Sequence, residues 1–354
     1  MVITNQVKLY LNEEQNRLFE ESLVKFKDCT NWWINKIRSE KSISIKLLNR
    51  KYYKEANKES GLGSVQTQLC LMKAISIVRI SKIDAGEAFR LKKGQLYFNN
   101  IKKIDEYIGL TLGKGHIYFK YRGKIADGNV RTSTVKKING EWFLYLAIEV
   151  STLKEKEYKR CMGVDLGIAK TAVVSDWNGN NTRFFGGEQY RDKKNHYRRL
   201  RSRLQGKNNQ GNVYKLLKRI SKKESNWVTS ENHKISREIV NMAIKNKRTI
   251  VLEKLTGITE RLNVNKKTRK MLKGWSFRQL ADFIKYKAKM AGITVLDVDP
   301  RRTSKTCPKC SNYSRSNRKS QERFICTLCG YESNADRVAA MNIALRGTEL
   351  LASR

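Results

Sequence analysis

Apolar positions alternate along residues 2–11, as in a short strand, and the pattern changes at Asn12. From there to about Arg90, Leu18, Leu23, Phe26, Trp33 and Ile37 fall at helical spacing, and Gly61 and Gly63 divide the run into at least two helices. Residues 95–150 return to short alternating runs, including QLYFNNI, HIYFKYRG and EWFLYLAIEV, with Asn139-Gly140 as a hairpin turn. The first 150 residues thus read as a small β-domain with a helical insertion after its first strand, and STLKEKEYKR reads as a charged linker. Beyond the linker come three successive strands at 160–168, 170–177 and 182–186, a long basic helical stretch, a helix at 226–246 and a strand at 248–255. A helix from Phe277 to Ala291, the strand ITVLDVD, a cysteine module and a helix from Asp336 to about Leu345 follow. Three strands and then alternating helix and strand is the pattern of an RNase-H-like α/β fold, here with two basic stretches and the cysteine module inserted.

Charge narrows the function. In 354 residues, 73 Lys and Arg face 33 Asp and Glu, a formal +40. A positive excess of that size points to a polyanion, of which nucleic acid is the commonest. No run approaches the length of a membrane span, and the first residues lack a signal peptide's charged start and apolar centre. An intracellular, reducing compartment is therefore expected. Cys29, Cys70 and Cys161 stand alone in the sequence and read as small buried residues.

In this basic chain three acids end or follow apolar runs: Asp165 in CMGVDLGIAKTAVV, Glu253 in RTIVLEKL and Asp336 in SNADRVAAMNIA. A carboxylate buried without a partner costs several kcal/mol, so something cationic should meet them. Two Mg²⁺ or Mn²⁺ ions bridged by carboxylates would do so, and would hydrolyse phosphodiesters. Each signal has a plainer reading: Asp165 as the phosphate-binding turn of an actin-like ATPase, Glu253 as a structural residue, Asp336 as a helix cap. The actin-like reading needs a second glycine-rich phosphate loop, and LEKLTGITE is a poor one.

Cys307, Cys310, Cys326 and Cys329 form a C-x2-C pair, a fifteen-residue loop and a second C-x2-C pair. Two such turns present four thiolates to one ion, a closed structural zinc site. Arg323, just ahead of the second pair, is a candidate for stabilising charge on the scissile phosphate or for a simple phosphate contact. Arg198, Arg199, Arg201, Arg203 and Lys207 lie in a basic helical hairpin, and a second basic stretch covers 261–273; both suit a nucleic-acid backbone. Tyr52 and Tyr53, in NRKYYKEANK, are base-stacking candidates.

The motifs GVDLGIAKTAVVSD, YRRLRSRLQGK, HKISREIV, VLEKLTGI, GWSFRQLADFIKYKAKMAGITVLDVDPRRTSKTCPKC and ERFICTLCGYESNADRVAAMNIA occur in this order. Over residues 160–346 the chain resembles the transposon-encoded TnpB (OrfB) proteins, RNA-guided nucleases related to compact type V CRISPR effectors. The resemblance implies a multidomain α+β chain. A β-barrel-like wedge domain (1–11 and 91–152) holds an inserted helical recognition domain (12–90). A RuvC nuclease domain of RNase-H-like α/β fold (153–302 and 335–354) holds an inserted zinc ribbon (303–334). It implies that Asp165, Glu253 and Asp336 are the RuvC acids, holding Mg²⁺ or Mn²⁺, that the four cysteines hold Zn²⁺, and that Arg323 matches an arginine common in the family. Val338 departs from the family's usual Asn, which bears on helix packing. The implied partners are a guide RNA from the transposon end and double-stranded target DNA beside a short recognition motif, with no membrane. One chain with one RNA, in the cytoplasm of a prokaryote and associated with the nucleoid, is the expected setting. The alternatives are an RNA-guided DNA-binding repressor that does not cleave, a miniature type V CRISPR effector, and a zinc-ribbon DNA-binding protein without RNA.

Overall fold

A computed structural model describes residues 1–81, 96–98, 101–112, 115–167, 170–206, 211–254 and 277–353. The chain separates into two compact units, Met1–Ser151 and Thr152–Arg354. The break falls within a residue of the linker expected from sequence.

The first unit is an eight-stranded antiparallel sheet with three helices inserted after its first strand. Strand β1 (Val2–Tyr10) lies between β8 (Glu141–Glu149) and β5 (Gly115–Arg122); β7 (Ser133–Ile138) and β2 (Leu96–Phe98) continue beyond β8. β4 (Tyr107–Leu112) and β3 (Ile101–Ile104) continue beyond β5, and short β6 (Asn129–Val130) pairs with β8. β7 and β8 meet at Asn139-Gly140, whose φ values of 53° and 85° are those of the type I′ turn this dipeptide favours. Helix α1 (Glu13–Ser39) starts where the alternating pattern stops. Asn12 accepts from the Gln15 amide at 2.8 Å while the Gln15 side chain accepts from the Asn12 amide at 3.2 Å, a capping box. Phe19 of α1 meets Phe119 and Trp142 of the sheet edge-on, at 4.9 and 5.1 Å, in the middle of the core. Two helices were the least expected; α2 (Ile45–Ser60) and α3 (Ser64–Ser81) make it three.

The second unit is built on a five-stranded sheet in the order β11-β10-β9-β12-β13. β9 (Cys161–Asp165), β10 (Ala172–Asp176) and β11 (Arg183–Phe185) run antiparallel in turn. β12 (Thr249–Glu253) and β13 (Val295–Val298) run parallel to β9. Alternate residues supply the two faces. Met162, Val164, Ile250 and Leu252 pack with Ile235 and Ile239 of α5 (Gly211–Asn246) and with Leu280 and Ile284 of α6 (Phe277–Met290). Cys161, Val251, Leu296 and Val298 pack with Ile343 and Ala344 of α7 (Ala335–Ala352) on the other face.

Two expected boundaries are corrected. The basic hairpin's second arm and the helix expected at 226–246 are one 36-residue helix, α5, paired with α4 (Glu188–Gln205). α7 continues past Leu345 to Ala352, and Gly347 within it serves close contact: a Cβ there would lie 2.3 Å from Val251. Residues 82–90, Lys207 and the basic stretch at 261–273 lie outside the described residues. Among the described residues no helix is long and apolar enough to cross a membrane.

Candidate metal centre and cysteine ribbon

Asp165 and Glu253 are the last residues of two neighbouring parallel strands, since Val164 pairs with Leu252 in register. Both fall on the odd positions of their strands, the face covered by α7, because Cys161 and Val251 of that parity pack against it. Glycine lets the helix come close. A Cβ on Gly163 would stand 2.1 Å from the Ala340 carbonyl and 2.5 Å from the Ala344 nitrogen. Gly347 sits in the same way against Val251 and, at 3.2 Å, Cys161. Moving from Cys161 to Gly163 on the strand therefore means moving from Gly347 to Ala340 on the helix, so α7 runs antiparallel to β9. Two more strand residues reach Asp165, and one more helical turn reaches Asp336: about 6 Å along each element. The helix thus delivers Asp336 to the same sheet edge as the two strand acids.

Asp336 is free for that role because Asn334 caps the helix, accepting from the amides of Asp336 and Arg337 at 3.0 and 3.1 Å. Arg337 then ties the first turn to the β10–β11 connection by donating to the Gly179 carbonyl at 2.9 Å.

The charges of the other two acids are felt at Asp165. Burial, then the charges of Glu253 and Asp336, push the Asp165 carboxyl well above the usual range, with Arg318 opposing. Burial also raises Glu253 and Asp336. Glu253 is partly relieved by Thr303, whose hydroxyl donates to its Oε1 at 2.7 Å. Asp336, 5% exposed, is partly relieved by Arg318, whose Nη2 lies 3.2 Å from Oδ1. Arg318, Arg346 and Lys170 oppose these shifts without undoing them, whereas hard divalent cations would. The donor set fits such ions.

Sequence reasoning passed over the residues that hold this arrangement. Asn342 of α7, buried, donates to the carbonyls of Thr303 and Thr306 at 2.7 and 2.8 Å. Arg346 donates to the Asp299 and Arg301 carbonyls. The helix that carries Asp336 thereby fixes the turn that gives Glu253 its hydrogen bond. Arg318 is anchored by donating to the Gln321 carbonyl at 2.9 Å. In sequence it is one of several basic residues in SRSNRKSQ, with nothing to mark it. Arg323, the arginine singled out from sequence, forms an ion pair with Glu332 at 2.8 Å on the β14–β15 hairpin (Arg323–Ile325 and Glu332–Asn334), with both side chains more than half exposed.

The four cysteines have their ligand atoms within 4.8 Å of one another, the one such group of metal-ligating side chains among the described residues. The Sγ separations of 3.7 Å (Cys307–Cys329) and 3.5 Å (Cys310–Cys326) are far too long for a disulfide. They match the edge of a tetrahedron of sulfurs about 2.3 Å from a central ion, roughly 3.8 Å. Burial resists ionisation of Cys326, but the amides of Cys329 and Leu328 and the Cys310 thiol outweigh it and bring its pKa down to about 6. Gly330, at φ 69°, turns the chain after the second pair. Phe324 and Cys326 pack against Ala335 and Val338 of α7, so the ribbon rests on the turn that bears Asp336.

The remaining candidates stand apart. Tyr52 is half-buried, hydrogen-bonded to Glu40 and edge-on to Trp32 at 6.3 Å; Tyr53 is also half-buried. On α4, Arg198, Arg199 and Arg203 are exposed, while Arg201 pairs with Glu224 of α5.

Fold and site together define an α/β protein that gathers three acids at the edge of its parallel strands and carries a four-cysteine ribbon. A family model described as "Probable transposase" matches residues 143–258, and one described as "Cas12f1-like, TNB domain" matches residues 277–343. A TnpB-like protein of Methanocaldococcus jannaschii is 32% identical over 194 residues, covering 53% of this chain and 69% of the relative. The chain belongs to this TnpB-like (OrfB) family. A CRISPR-associated endodeoxyribonuclease Cas12f1 of Sulfoacidibacillus thermotolerans is 32% identical over 239 residues, covering 63% of this chain and 55% of the relative. The chain spans about half the length of the Cas12f1 relatives it matches. Among solved structures, the protein in a cryo-EM structure of a Cas12f1–sgRNA–target DNA complex shares the fold, at TM-score 0.64 and 16% identity, covering 95% of this chain and 83% of that one.

Proposed function

We propose that this protein is an RNA-guided DNA endonuclease whose RuvC-like second unit hydrolyses phosphodiester bonds with divalent metal. The observation that carries the reading is the convergence of Asp165, Glu253 and Asp336, from three distant segments, on one sheet edge where each has a raised pKa. The strand order, with three antiparallel strands followed by two parallel to the first, supports an RNase-H-like domain. The names of the relatives, endodeoxyribonuclease and TnpB-like, support the activity.

Asp165, Glu253 and Asp336 would hold Mg²⁺ or Mn²⁺, which when bound activates the attacking water and stabilises the leaving oxygen. Thr303 orients Glu253 and offsets part of the burial that raises its pKa; Arg318 supplies positive charge beside Asp336. The four cysteines would hold zinc as a structural ion that keeps the ribbon folded against α7. The first unit takes the part of a wedge domain with an inserted recognition domain, and exposed Arg198, Arg199 and Arg203 serve as backbone contacts. Tyr52 and Tyr53 are weaker nucleic-acid contacts than their sequence suggests, since Tyr52 is occupied within the unit. Arg323 would act on phosphate only after leaving Glu332. The partners are a guide RNA and a double-stranded DNA target.

The test is the Asp165→Ala protein loaded with guide RNA. We expect Mg²⁺-dependent cleavage to fall at least a thousandfold while guided DNA binding persists. Cleavage at the wild-type rate would refute the site assignment. Guided binding without cleavage by the wild-type protein would favour the repressor.

A further inference from the structure

The nuclease reading gives the two cysteines of the first unit no role, and the structure pairs them. Cys29 lies on α1 and Cys70 on α3, with all of α2 between them in the chain. Both are free thiols, 5 and 0% exposed. Cys70 Sγ stands 3.7 Å from the carbonyl of Phe26, the residue nearly one helical turn before Cys29. A helical side chain leans towards the preceding turn, so the Cys29 sulfur is directed to the same place, and the two thiols are hydrogen-bond partners. The Thr30 hydroxyl already donates to the Phe26 carbonyl at 2.8 Å, and the Cys29 sulfur is the other acceptor within reach of the Cys70 S–H.

The two thiols differ in access. Cys29 lines a cavity of about 230 Å³ between α1 and α2, together with Lys25, Asp28, Trp32, Glu59 and Ser60. That is room for several water-sized molecules. Cys70 is fully buried on the α3 side of Cys29. They differ in acidity as well. The hydrogen bond from Cys70 lowers the Cys29 pKa; burial opposes it, and a hydrogen bond from Ser60 assists. Burial first, and then the partner thiol, raise Cys70. An accessible sulfur that ionises beside a buried one that keeps its proton is the arrangement of an attacking and a resolving thiol.

We propose that Cys29 and Cys70 are a peroxide-oxidised thiol pair, in which Cys29 reacts from the cavity and Cys70 closes a disulfide that joins α1 to α3. The Cys29 thiolate attacks one oxygen of hydrogen peroxide. An S–O bond forms, the O–O bond breaks, and the departing hydroxide takes up the proton that the thiol released. Cys29 is oxidised to the sulfenic acid and the peroxide is reduced to water. The Cys70 sulfur then attacks the Cys29 sulfur. The S–S bond forms, the S–O bond breaks, and hydroxide leaves with the Cys70 proton as a second water. Two thiols and one peroxide thus give one disulfide and two waters. The bridge closes a loop around α2 and covalently fixes the helical insertion, and a dithiol reductant reopens it. The site is independent of the nuclease reading.

The experiment treats the folded full chain with hydrogen peroxide and follows each cysteine by peptide mapping without reductant. Cys161 is the internal control: it is buried in the second unit, and burial raises its pKa. We expect a peptide pair joined through Cys29 and Cys70, two mass units lighter than the separate thiols and restored by dithiothreitol. Cys29 should be lost at least about tenfold faster than Cys161. In Cys70→Ser, Cys29 should stop at the sulfenic acid and be trapped by dimedone; in Cys29→Ser, Cys70 should stay reduced. The decisive readings need only the wild-type chain, so a variant that fails to fold does not decide the matter. No Cys29–Cys70 bridge in folded wild type would overturn the proposal. So would a bridge that forms only in urea, or Cys161 oxidised as fast as Cys29.

Discussion

The ribbon and the carboxylate edge are both built to hold cations, yet they are assembled in opposite ways. The four cysteines lie within 23 residues of sequence, and two knuckle turns bring their sulfurs within 4.8 Å. The acids come from β9, β12 and α7, separated by 88 and 83 residues, and meet only because a helix crosses two strands at glycine contacts. The first site is made by local turns; the second is made by the core of a domain. A site of the first kind should fail when its ligand is lost. One of the second kind should fail when packing far from any ligand is disturbed.

The largest effect expected is at the ribbon. Cys326→Ser should release the bound metal and unfold the module, since structural zinc contributes about 10–16 kcal/mol to folding in small modules. Metal analysis and the loss of ribbon protection in hydrogen exchange would show it; full metal content would sink the four-sulfur assignment. The converse substitution is Gly163→Ala. Its methyl would meet the backbone of Ala340 and Ala344, which cannot rotate away, so α7 must shift. A loss of about 3 kcal/mol, read as a lower melting temperature, should accompany reduced nuclease activity with metal content at the cysteines unchanged. If zinc is lost as well, the two sites are less independent than their construction implies.

The smallest effect sharpens the description of the edge. Thr303→Val removes the hydroxyl that donates to Glu253, at a cost of about 1 kcal/mol near neutral pH. The Glu253 pKa, already raised by burial, should rise further, because the lost contact lowered it. The acidic limb of the pH–activity profile should therefore move to higher pH. The stability sign follows from linkage. With the folded pKa above the unfolded one, metal-free stability falls as pH rises from the ordinary glutamate range through the raised value, and Thr303→Val should extend that fall upward. An unmoved acidic limb would mean that Glu253 does not limit activity.

Much of this was legible in the chain. The alternation of residues 133–149 around Asn139-Gly140, the capping box at Asn12, the strand order and both C-x2-C turns depend on neighbours in sequence, and the structure follows them. Asp165, Glu253 and Asp336 were visible as acids on apolar runs. Arg318 and Asn342 were not. A guanidinium in a basic loop and an amide inside a helix have no local signature, because their partners, Asp336 and the carbonyls of Thr303 and Thr306, lie 18 to 39 residues away. The continuation of α7 past Leu345 was hidden for a related reason: Gly347 lies against the side chain of Val251, a residue of a distant strand.

By itself, then, the sequence determined most of the elements and the spacing of the cysteines, and it marked the acids as candidates, since periodicity, turn chemistry and thiol spacing act over a few residues. Tertiary structure alone decided which arginine stands beside Asp336 and why Tyr52 is occupied. Those outcomes depend on which surfaces approach closely enough to exclude water, and that is fixed by packing between segments far apart in the chain.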